Sequence, residues 1–218
     1  MARSLSLVFA ICCAFSRSVL AQEKEIALEI VYDTSGSMRD AVRDVAGKGA
    51  PKYTIGNRAL LAVIQRLHIF AENNPGRLRA GLVVFDGRSA RQAVKLRPFD
   101  ATEMRTWARS FISPDGPTPL GPAVQVAAEA LLEAKSAQRH VLVITDGENT
   151  AGPDPAEVIR ALQKKEARLA FHFIAFDVNA RAFAPIKDLG ATVVSAADEQ
   201  ELNSQLEFIL EEKILLEK

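Results

Sequence analysis

At 218 residues, with 48% apolar and 25% charged side chains, the chain is long and apolar enough to bury one core of moderate size. Its 27 basic residues are matched by 27 acidic ones, which argues against a general nucleic-acid binder, since that needs a basic excess to displace counterions. The only cysteines are Cys12 and Cys13, so a disulfide scaffold is excluded and a cysteine-type zinc site is disfavoured.

Residues 1–21 read as an export signal. Arg3 supplies a positive start, Leu5 to Phe15 an apolar stretch, and Val19-Leu20-Ala21 a cleavage site after Ala21. The apolar run is short for a bilayer span and Arg17 interrupts it, so no stable membrane span is expected. Ile11 before Cys12 speaks against lipidation. Both cysteines leave with the signal, and a single domain over residues 22–218, periplasmic or secreted, remains.

Strands and helices then alternate. Ile26 to Tyr32 is a short apolar run of strand length, followed by helical spacing of Leu60, Ile64, Leu67 and Phe70 over 57–71. Arg79 to Phe85 reads as a second buried strand, and the more polar Ala90 to Leu96 as an edge strand. Asp100 with Glu103 opens a helix over 100–112, and Val124, Ala127 and Leu131 share one face of another over 119–134. His140 to Thr145 is a buried strand. Asp154, Pro155 and Glu157 cap a helix to about Lys165, and Leu169 to Phe176 is the next strand. A short helix near 180–188, a strand over 191–194 and a closing helix lined by Leu202, Leu206, Leu210 and Ile214 complete the chain, the last opened by Asp198 and Glu201. Intramolecular packing of that closing face, hence a monomer, is expected. The alternation implies a three-layer, doubly wound α/β fold, a mostly parallel sheet with helices on both faces. Residues 39–52, polar and glycine-bearing, read as a flexible surface loop.

In such sheets ligands bind beyond the carboxyl ends of the strands. Asp33, Ser35 and Ser37 follow the first strand, Asp146 follows the strand at 140–145, and Thr118 heads the helix between them. Two carboxylates and three hydroxyls, with no His or Cys, suit a hard divalent cation: Mg²⁺ or Mn²⁺, with Ca²⁺ as a third candidate. Gly36 would let the backbone bend between the two serines. Neutral hydroxyls leave most of the ion's charge uncancelled, so an open position would favour an anionic oxygen such as a partner protein's Asp or Glu.

The set Asp33-x-Ser35-x-Ser37, Thr118-Pro119-Leu120-Gly121 and Thr145-Asp146-Gly147 resembles the metal-ion-dependent adhesion site of von Willebrand factor A domains, and the resemblance covers about residues 24–216. It implies a six-stranded sheet with one antiparallel edge strand, direct ligation by Ser35, Ser37 and Thr118, and Asp33 and Asp146 acting largely through water. Related sequences often carry a cysteine pair in the loop after the second Asp motif, where this chain has Ala151 and Ala156.

Each fragment also has a plainer reading. Asp33 to Ser37 is compatible with a turn and cap, Thr118-Pro119 with a helix cap, and Asp146-Gly147 with a turn. Asp86 and Asp177, which also follow apolar strands, read as solvated or capping residues in preference to supporting members of the site, His68, His140 and His172 as structural, and Trp107 as a packing anchor. The functional expectation is a non-enzymatic, cation-dependent protein-binding module whose loops 39–52, 86–91, 113–117 and 147–153 tune specificity. One alternative is a Mg²⁺-dependent phosphatase or hydrolase with Asp33 as nucleophile, although Ser35 stands where a general acid is wanted and no phosphate-bridging lysine is evident. The other is a structural domain with an idle site.

Overall fold

The computed structural model describes residues 25–134, 136–166 and 168–215; the expected signal segment lies outside them. The first strand, β1 (Ile26–Tyr32), is buried along its whole length. Its alternation sends Ile26, Leu28, Ile30 and Tyr32 to one side and Ala27, Glu29 and Val31 to the other. A two-stranded hairpin, β2 (Ala41–Arg43) and β3 (Gly49–Pro51), leads straight into α1 (Lys52–Asn73). Next come β4 (Leu78–Asp86), β5 (Ser89–Pro98), α2 (Ala101–Ser110), α3 (Leu120–Ala134) and β6 (Gln138–Thr145). The remaining elements are α4 (Pro155–Lys165), β7 (Leu169–Phe176), α5 (Ala184–Lys187), β8 (Thr192–Ala196) and α6 (Glu199–Ile209).

The main sheet has six strands in the order β5-β4-β1-β6-β7-β8. All neighbours run parallel except β4 and β5, so β5 is the antiparallel edge strand. One face packs on α1, α2 and α6 through residues such as Leu60, Leu67, Met104, Leu202 and Leu206, the other on α3, α4 and α5 through Val124, Leu131, Ile159 and Ile186. The chain leaves β1 toward β4 on one side and returns to β6 on the other. Strand order therefore reverses between β1 and β6, which makes their carboxyl ends the crevice of the fold.

Segment 39–52 is not the flexible loop its composition suggests. Asp44 accepts from the amides of Ala46 and Lys48 (2.9 and 2.8 Å), which closes the hairpin turn. The hairpin tip is anchored where the Val45 amide donates to Glu199, itself held in two-point contact by Arg58 (2.7 and 2.8 Å). Helix α1 accordingly begins at Lys52, ahead of the helical spacing over 57–71. At the other end, α6 runs into a π-helical turn over Leu210–Ile214. A four-residue apolar repeat drifts around a 3.6-residue helix, and the wider turn brings Ile214 back into the core beside Leu210. Ile214 is thus buried within this chain, and Leu215 packs against the same core. No helix among the described residues is long and apolar enough to cross a membrane.

Candidate metal centre

The carboxyl ends of β1 and β6 bring the sequence-predicted oxygens together. Asp33 extends the β1–β6 pairing by one step, its amide donating to Ile144 O at 3.0 Å. Its carboxylate is fully buried and occupied on both oxygens: Oδ1 accepts from the Ser35 amide at 2.8 Å and Oδ2 from the Thr145 hydroxyl at 2.6 Å. Beyond it, Ser35 Oγ and Ser37 Oγ lie 3.0 Å apart, and Ser37 Oγ donates to Asp146 Oδ1 at 2.8 Å. Four of the five residues thus form one hydrogen-bonded chain.

Thr118 reaches the same place from α3. Its amide donates to Thr150 Oγ1 (2.8 Å) and its carbonyl accepts from the Thr150 amide (2.9 Å), so the head of α3 is stitched to the loop that follows Asp146. A Cβ placed on Gly147 would stand 3.4 Å from Thr118 Oγ1 and 3.9 Å from Ser37 Oγ, so both hydroxyls border the space that glycine leaves open. Gly36 opens a single 3₁₀ turn, Gly36–Arg39, that bends the backbone between the two serines. Its amide donates to Gly116 O at 3.0 Å, and it is Gly116 across the gap that takes the left-handed backbone, with φ 79°. A second tie, from the Asp115 amide to Thr34 O at 2.9 Å, fixes the two loops to each other.

Burial, and after it the neighbouring Asp146 carboxylate, push Asp33 up to about 6. Two acids facing one another among hydroxyls suit a hard cation, which would offset both the desolvation and the mutual repulsion. Among the described residues no three His, Cys, Asp or Glu side chains gather into a metal-binding group. The fit to a cation therefore rests on hydroxyls as much as on carboxylates, a donor set for Mg²⁺ or Mn²⁺ more than for zinc.

Two residues join the site that sequence reasoning placed elsewhere. Lys52 is 5% exposed, and its Nζ lies 3.1 Å from Asp146 Oδ2 and 3.0 Å from Asp177 Oδ2. Burial pulls this ammonium down, but Asp177 and Asp146 outweigh it and the net shift is upward. Asp177 is therefore neither simply solvated nor a cap, and a lysine does stand beside the site carboxylates, contrary to expectation. The remaining residues behave as expected. Asp86 is exposed, with Arg91 at 3.8 Å. His140 and His172 stack with Nδ1 and Nε2 3.1 Å apart, and burial pulls them down to about 4 and about 3, so both stay neutral. Trp107 packs edge-on against Tyr32 and stacks on Phe111.

The chain belongs to the von Willebrand factor type A domain family, whose model matches residues 28–207. Comparison with curated protein sequences gives no match. Among solved structures, the PilB minor pilin of Streptococcus sanguinis is similar at 18% identity and TM-score 0.68, over 87% of this chain and 61% of the pilin. An aerotolerance-related membrane protein of Bacteroides fragilis, with multiple mutations to serines, shares 19% identity at TM-score 0.61, over 84% of this chain and 95% of its own. Proximal thread matrix protein 1 of the mussel byssus, solved with a zinc-occupied MIDAS motif, shares 16% identity at TM-score 0.66, over 86% of this chain and 48% of its own. The chain thus spans about three fifths of the pilin and half of the byssus protein.

Proposed function

We propose that this protein is a divalent-cation-dependent protein-binding module, exported by a signal peptide cleaved after Ala21 to the periplasm or beyond. Ser35, Ser37 and Thr118 would hold Mg²⁺ or Mn²⁺ through their hydroxyls, with Asp33 and Asp146 supporting from behind. When bound, the cation supplies a hard, charged centre for a carboxylate from a partner's Asp or Glu. The observation that carries this reading is the hydrogen-bonded chain Asp33–Ser35–Ser37–Asp146 at the switch point of the sheet, with Thr118 bordering the same gap. The zinc-bearing site of the byssus protein, in the same fold, lends support. Exposed Val45 on the hairpin and Ile112 after α2 would give a partner apolar contact.

The phosphatase reading is weaker on geometry. Both Asp33 oxygens are taken by internal donors and the side chain is buried, so it is poorly placed to attack a substrate. Lys52 is drawn to Asp146 and Asp177, and Ser35 still occupies the general-acid position.

A cation that binds only the folded state stabilises it by about 2.7 kcal/mol at a hundredfold excess over Kd, roughly 5–10 °C for a domain of this size. Adding Mg²⁺ or Mn²⁺ is expected to raise the melting temperature accordingly, and the combined Ser35→Ala, Ser37→Ala and Thr118→Ala variant to lose that rise while keeping its circular dichroism spectrum. A triple variant that responds to the cation like wild type rejects the site.

A further inference from the structure

We propose that the slot between loop 147–154 and the Ala180–Phe183 turn, beside the metal centre, is a subsite for a lysine or arginine side chain, so that the segment this protein captures carries a basic residue close in sequence to the acidic residue on the cation. The inference rests on the metal reading above and names the chemistry of the partner.

The slot has a volume of about 100 Å³, room for one side chain and well short of the roughly 300–1,000 Å³ of a small-molecule pocket. Leu120, Pro155, Phe183 and Ile186 give it buried apolar walls, while Glu148 and Asp154 stand exposed at its edge. Glu148 makes no hydrogen bond or ion pair among the described residues. Asp154 accepts the Ala156 and Glu157 amides on Oδ1, at 2.8 and 3.2 Å, and its full charge outweighs the roughly half charge of the α4 start that it caps. Among the described residues, no Lys or Arg lies within ion-pair distance of either carboxylate. Apolar walls under an acidic edge suit a side chain with an aliphatic stem and a cationic head, and they repel an anion.

Both walls are fixed within the chain itself. On one side the Gly121 amide donates to Asn149 Oδ1 at 3.2 Å and Asn149 Nδ2 to Gly152 O at 3.3 Å, beside the paired Thr118–Thr150 contacts. On the other, Asn179 accepts from the Arg181 amide at 3.0 Å, and the Phe183 ring lies 6.0 Å from that of Phe173. A partner therefore meets a preformed slot, and little ordering of the protein opposes binding. The same stitching sets the distance to the cation. Glu148 is two residues beyond Asp146 and Leu120 two beyond Thr118, a span of at most about 7 Å. An extended partner crosses that gap in about two residues, so its basic residue falls within about three positions of its acid.

Short synthetic peptides test the subsite. Each carries one Asp among Gly and Ser, with Lys, Leu or Glu placed in turn at the positions on either side, and binding to the purified protein is read by fluorescence polarisation in MgCl₂ and in EDTA. Peptides with Lys within about three positions of the Asp are expected to bind about fivefold more tightly than their Leu and Glu counterparts, and only in MgCl₂. Glu148→Lys, a change at an exposed position, is expected to turn the preference toward Glu. Asp154→Asn, which keeps a helix-capping side chain, is expected to weaken the preference for Lys. Mg²⁺-dependent binding that is blind to the added residue, that favours Leu, or that keeps its preference for Lys in Glu148→Lys overturns the subsite and leaves the metal reading standing. Absence of Mg²⁺-dependent binding by every peptide overturns the capture of a carboxylate, and the subsite falls with it.

Discussion

Glu29→Gln is expected to stabilise the protein by roughly 2–3 kcal/mol at pH 7 and by almost nothing at pH 4. Glu29 sits in the middle of β1 with no exposed surface, over Gly81, where an added Cβ would stand 2.5 Å from Oε1. Gln92 donates to Oε1 at 2.7 Å, and Oε2 has no hydrogen-bond partner. Burial pushes the group up to about 8, only partly offset by Gln92. The native state therefore keeps a proton that the unfolded chain releases near its ordinary value of 4.5. Between those two values the native state binds more protons, so stability falls as pH rises and levels off above pH 8. Glutamine mimics the neutral acid and removes that slope, at the cost of one unpaired buried amide. Urea denaturation of both proteins at pH 4, 7 and 9 checks this, and parallel stability profiles would contradict it.

Gly121→Ala is expected to damage both stability and the site. A Cβ there would stand 2.0 Å from Pro153 O and 2.9 Å from Pro153 C, so the clash is with backbone that no rotamer change can relieve. Overpacking typically costs about 1–3 kcal/mol, and a fixed carbonyl places this substitution at the upper end. The consequence reaches further than the core. Gly121 lies one turn from Thr118, and its amide donates to Asn149 at 3.2 Å beside the paired Thr118–Thr150 contacts. Parting these segments moves the Thr118 hydroxyl away from Ser37 and Asp146, so the variant should also lose most of its thermal response to Mg²⁺. Gly49→Ala, whose Cβ would meet only Ala41 Cβ at 3.8 Å, is the control and should behave like wild type. Thermal scans with and without Mg²⁺ report both effects, and an unaltered Gly121→Ala profile would mean that the close approach carries no weight.

The sheet was legible because its signals are local and strong. IALEIVY, HVLVIT and LAFHFIAF are near-continuous apolar runs, as strands buried on both faces require, and the polar 90–96 stretch announced the edge strand at Ser89–Pro98. Asp154 and Asp198 cap their helices as read, although Glu103 pairs with Arg97 instead of reaching back to its own helix start. The donor set was legible for a similar reason: each member follows a strand or heads a helix, so topology alone brings it to one end of the sheet. The hairpin was hidden because its strands are three residues each, too short to show alternation. Periodicity over 57–71 did not reach the start of α1, and nothing local ties Lys52 to its partner Asp146, 94 residues away. Asp177 was hidden because its role depends on that lysine. Glu29 was passed over inside an apolar run, where periodicity says nothing about a missing partner.

Oxygens from three separate loops are proposed to surround one cation. Crystals grown in MnCl₂ and measured for anomalous scattering test it most directly. A single strong peak is expected within bonding distance of the Ser35, Ser37 and Thr118 hydroxyls, with Asp33 and Asp146 behind them. Manganese located elsewhere on the molecule, with those hydroxyls still bonded only to protein, would contradict it.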